Sequence, residues 1–122
     1  MKDIETREDI IELVNAFYQQ AKYDPDLSKV FLEMKALTET DILQAMYNFW
    51  ENIILFTGPY KGKPLYRFIA GRELKPQHFK AWNTIFNQTV DNLYEGYHAD
   101  QAKYRSREIL DILKNRWLKT GG

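Results

Sequence analysis

The chain is 122 residues long, enough for one hydrophobic core and too short for two, so a single domain over residues 1–122 is expected. Apolar residues make up 44% and aromatic residues 15%, which excludes a disordered chain, and the absence of cysteine excludes disulfides, thiolate nucleophiles and Cys-ligated metals. Seventeen Lys and Arg balance seventeen Asp and Glu, so the net charge of zero gives no electrostatic case for a nucleic-acid or anionic-membrane partner.

The first residues, MKDIETREDIIE, carry charges where a signal peptide needs an apolar run, and no apolar stretch is long enough to span a bilayer. A cytoplasmic protein is expected. From Thr6 to Asp24, Thr6 and Asp9 stand at capping-box spacing, and Ile10, Leu13, Val14, Phe17 and Ala21 recur at helical intervals. Tyr18 falls on the flank of that stripe, with its hydroxyl expected to point inward or to the rim. Asp24-Pro25-Asp26 breaks the helix, and a short turn carries Leu27, Val30 and Phe31.

A second helix is expected from Thr38 or Thr40 to about Phe56, ended by Thr57-Gly58-Pro59. It bears two apolar stripes. One holds Ile42, Met46, Phe49 and Ile53; the other holds Leu43, Met46, Tyr47, Trp50 and Ile54, so most of its circumference seeks cover. Gly62, Pro64 and Gly71 then allow at most a short helix over Leu65 to Ala70. Pro76 suits the first turn of a long helix in which Phe79, Trp82, Phe86, Val90 and Leu93 recur, closed by Gly96. A last helix, Ala99 to Lys119, turns Ala102, Ile109, Ile112, Leu113 and Trp117 inward. The pattern is all-α.

Phosphate-binding glycine motifs, HExxH and nucleophile elbows do not occur, and two histidines cannot build a multi-histidine metal site. No catalytic residues, no metal site and no enzymatic activity are expected. The acidic pairs Asp24/Asp26 and Glu39/Asp41 lie at helix ends, where carboxylates cap. His98 reads as a solvated turn histidine. His78 stands one helical turn before Trp82 on the same face, where packing is the commoner role and ligation the rarer. Phe31, Phe49, Trp50, Phe79, Trp82 and Phe86 have the spacing of core residues, and periodicity does not separate a core wall from a cofactor wall.

In their order these motifs resemble the group III truncated haemoglobins over nearly the whole chain: FYQQAKYDPDLSKVF at 17–31, NFW at 48–50, YKGKPL at 60–65 and HFKAWNTIFNQTVDNLYEG at 78–96. The resemblance implies a truncated globin-like helix-over-helix sandwich around a haem pocket. It puts Tyr18 on the distal tyrosine, Phe31 on the phenylalanine that packs against haem, and Trp82 on the tryptophan beside the distal site. Ile42 falls where many members have a distal histidine, and Met46 lies in the same lining.

The resemblance also puts the proximal iron ligand after YKGKPL and two intervening residues, Tyr66 and Arg67, where members have histidine and this chain has Phe68. Phenylalanine has no lone pair for iron. The expectation is a globin-fold binding or interaction module without haem, for an apolar small molecule, with Phe68, Met46, Tyr47 and Phe56 closing vacated volume. The alternative is a haem protein with Tyr18 or His78 as an atypical ligand that binds O2 or another diatomic gas. The sequence leaves the oligomeric state open, and Tyr23, Tyr97 and Tyr104 are exposed aromatics suited to a dimer surface.

Overall fold

Local capping chemistry explains where most of the helices begin. The computed structural model describes residues 1–32, 38–56 and 75–119, with side chains for 1–30, 38–56 and 75–111. The helices are α1 (Arg7–Ala21), α2 (Leu27–Leu32), α3 (Glu39–Leu55), α4 (Pro76–Leu93) and α5 (Tyr97–Lys119), and no strand occurs among the described residues. The expected helix over Leu65 to Ala70, and the side chains of Phe31, Phe68, Ile112, Leu113 and Trp117, lie outside the described set.

α1 starts on the capping box foreseen from its spacing. The Asp9 N–H donates to the Thr6 hydroxyl at 3.2 Å, and Asp9 Oδ2 accepts from the Thr6 N–H at 3.1 Å. Thr38 and Asp41 repeat the device at α3, at 3.0 and 3.3 Å. Pro76 opens α4, where the Lys75 N–H donates to His78 Nδ1 at 2.9 Å, so the imidazole takes the place of a capping carboxylate.

Three boundaries differ from expectation, each for a physical reason. The segment read as a turn at Leu27 is helix α2, because Asp24 Oδ1 accepts the N–H groups of Asp26 and Leu27 at 2.9 and 3.0 Å and so caps a helical turn. α3 ends at Leu55 through Phe56, a left-handed residue at φ 60° whose N–H donates to Asn52 O at 3.0 Å, one residue before the stop expected at Thr57. α5 starts two residues early because its cap comes from the other end of the chain. Asp3 Oδ2 and Oδ1 accept the N–H groups of His98 and Ala99, each at 2.8 Å.

That remote cap also revises His98. It is half-buried rather than solvated, and its Nδ1 lies 2.6 Å from the Ile4 carbonyl. Gly96, at φ 133°, brings the chain round between α4 and α5, and an added Cβ would sit 2.7 Å from the Asp3 side chain. Only glycine combines that φ with that approach.

α1 packs on α3 and α4, α4 on α5, and α3 on α5, while α2 rests on α4. This is the expected all-α, helix-over-helix sandwich. The α1 stripe, Ile10, Leu13, Val14, Phe17 and Ala21, is wholly buried, and each large member contributes about 1.5–3 kcal/mol of burial. α3 is covered on both stripes as its pattern required, with Ile42, Met46, Tyr47, Phe49, Trp50 and Ile54 buried and Leu43 and Ile53 packed at the margin. In α5 Ala102 is buried, Ile109 is half-buried and Leu110 takes the deeper position.

Candidate functional site

The inner faces of α1, α3 and α4 meet in a run of aromatic rings. Phe17 sits between Trp82 and Phe86 at centroid distances of 5.0 and 5.6 Å. Phe86 stacks on Trp50 at 4.8 Å and 19°, and Trp50 meets Phe49 edge-on at 5.2 Å. Tilted and edge contacts suit the ring quadrupoles and fix the geometry of the wall more tightly than aliphatic packing does.

Tyr18 follows Phe17 on α1 and is 6% exposed. Its hydroxyl donates toward Glu39 Oε2 in the first turn of α3 at 3.4 Å, one helical turn before Ile42. Burial pushes the phenol above its ordinary range, and the Glu39 charge and hydrogen bond add to this. Lys22 Nζ lies 5.7 Å from the Tyr18 ring centroid. Ile42, Met46 and Trp82 are likewise enclosed.

Tyr47 is buried with its hydroxyl on Asn15 of α1. Phe56 is 79% exposed, which corrects the expectation that it helps to close the pocket, since the left-handed turn at the end of α3 directs it into solvent. Glu39 was legible only as a cap residue, and its part as Tyr18's partner depends on the docking of α1 against α3. The pair of Arg7 with buried Glu51, in which Arg7 also donates to Asn48 at 3.1 Å, spans the same two helices and left no local sequence signal.

The described donors fit haem iron poorly. His78 Nδ1 spends its lone pair on the Lys75 N–H, so in the neutral ring Nε2 carries the proton and offers iron nothing. His98 is bound to the N-terminal segment at the α4–α5 corner, beside Asp3 and Ile4. The Tyr18 hydroxyl is directed to a carboxylate. Among the described residues no group of three His, Cys, Asp or Glu side chains is placed to hold a metal ion, and no helix is long and apolar enough to cross a membrane.

The short helical sandwich, with a buried tyrosine beside an aromatic wall, agrees with the truncated globin-type fold that the sequence motifs resemble. The chain is similar to the group 3 truncated hemoglobin ctb of Campylobacter jejuni, 24% identical over 119 residues, or 95% of this chain and 94% of the relative. The crystal structure of group III truncated hemoglobin from Campylobacter jejuni matches with a TM-score of 0.84 at 24% identity, covering 100% of this chain and 99% of that one. No family model matches. The truncated-globin fold is thereby established, and the likeness to group III extends from sequence motifs to three-dimensional structure.

Proposed function

We propose that this chain is a truncated-haemoglobin-like protein of the group III type that has given up haem ligation and acts as a non-haem binding or interaction module for an apolar small molecule. The observation that carries the reading is Phe68, the third residue after the PL of YKGKPL, where the group's resemblance puts the proximal histidine. A phenyl ring cannot supply the axial bond that holds haem and tunes its iron. The described residues support the same reading, because both histidines are engaged by backbone groups at helix N-termini.

What remains is a wall suited to an apolar guest, with Tyr18 and Glu39 as its polar edge. In this reading the protein is cytoplasmic and is not an enzyme. The retained Tyr18 and Trp82 are the features that favour the alternative, a haem protein with Tyr18 as axial ligand and a diatomic gas as guest. Hemin titration followed by visible spectroscopy separates the two. The proposal expects only weak, nonstoichiometric absorbance from the parent chain, whereas a sharp stoichiometric Soret band would establish the alternative. A Tyr18→Phe variant then reports whether Tyr18 supplies the bond.

A further inference from the structure

We propose that two copies of this chain associate antiparallel through the solvent face of α5, an inference independent of the pocket's ligand. Tyr97, Asp100, Tyr104, Arg107 and Asp111 recur at spacings of three and four, forming one straight stripe on the helix. All five are exposed, with Tyr97 at 70% and Tyr104 at 56%. Two large aromatic side chains in solvent, seven residues apart on one helix face, have the composition of an interface core rather than of an ordinary surface.

The charges on the stripe select the partner. Arg107 has no ion pair among the described residues, and Asp100 has only a long contact of 3.8 Å to Lys103, whose ammonium is held by Asp91 at 2.7 Å. Asp100 and Arg107 are separated by about 10 Å of helix rise, at 1.5 Å per residue, so they do not meet within one copy. An antiparallel two-fold axis passing at Tyr104 changes this. It sets Tyr104 against its own copy, Tyr97 against Asp111, and Asp100 within one residue of Arg107, each twice by symmetry.

The stripe is therefore complementary to itself, joining aspartate to arginine and a phenol to a carboxylate. Glu108, the other residue near Asp100 across the axis, is already neutralised by Arg105 at 2.9 Å. A single helix face lies at the small end of interface sizes, so a reversible dimer with a dissociation constant of about 10–100 µM is expected.

Sedimentation equilibrium over a concentration series straddling that range tests the proposal. The parent chain is expected to pass from monomer to dimer. Arg107→Asp should raise the dissociation constant about tenfold or more, and the doubly swapped Asp100→Arg/Arg107→Asp chain should regain most of the lost affinity. Tyr104→Ala should weaken the dimer with its salt dependence retained. Circular dichroism confirms that each variant is folded. A parent chain that stays monomeric throughout overturns the proposal, as does a dimer that Arg107→Asp leaves intact or that the double swap fails to restore.

Discussion

Replacing Asp3 with alanine should destabilise the protein far more than an exposed N-terminal position normally would. The Asp3 carboxylate accepts two N–H groups at the start of α5, both at 2.8 Å, and the Ile4 N–H at 2.8 Å besides. Losing a cap costs about 0.5–2 kcal/mol, and hydrogen bonds to a charged acceptor are worth about 1.5–3 kcal/mol each. Because Asp3 keeps 24% side-chain exposure, water recovers part of this, and a net loss of about 2–3 kcal/mol is expected. For a chain of this length that lowers Tm by on the order of 10 °C.

The pH dependence separates the cap from generic damage. Burial alone would raise the Asp3 pKa, but the N–H groups of His98, Ala99 and Ile4 outweigh it and hold it below 3.8. A depressed folded pKa means that the carboxylate's stabilisation is fully present above about pH 4 and disappears as pH falls through the folded value. Urea unfolding of the parent, Asp3→Ala and Asp3→Asn chains from pH 7 to pH 3 is the assay. The parent's advantage over Asp3→Asn should shrink below pH 4. A loss under about 0.5 kcal/mol for Asp3→Ala, or an advantage over Asn that ignores pH, refutes the remote cap.

Phe17→Ala removes the ring that joins Trp82 to Phe86, and a loss of about 3–5 kcal/mol in equilibrium unfolding is expected, with a marked change in tryptophan fluorescence. Phe56→Gly should raise stability by about 1 kcal/mol, because the residue is 79% exposed and sits in a left-handed conformation that glycine adopts without strain. A thermal melt that moves downward contradicts that. Glu39→Gln should lower the Tyr18 pKa, followed by NMR of ring-labelled tyrosine, without returning it to the ordinary value, because burial is the larger cause.

Sequence reading succeeded where the governing interactions are local. The Thr6/Asp9 box, the α1 stripe, the double-striped α3 and Pro76 at the first turn of α4 all rest on contacts within a few residues, and all are present in the structure. It failed where the partner comes from far along the chain. Asp3 reaches α5 across 95 positions, so neither the helix start nor the half-buried state of His98 had a local signal. The aromatic wall was visible as periodicity, but its ring geometry and the Tyr18–Glu39 contact depend on the packing of three helices. Phe56 escaped because its backbone conformation, not its hydrophobicity, decides where it points.

The most direct test of the lost-ligand account is a stoichiometric hemin titration of the parent chain beside Phe68→His, read by visible absorption and by resistance of the complex to gel filtration. The account predicts that the parent releases hemin on the column, while the histidine variant retains it with a defined Soret band. A parent chain that already holds one hemin per protein as firmly as the variant would contradict it.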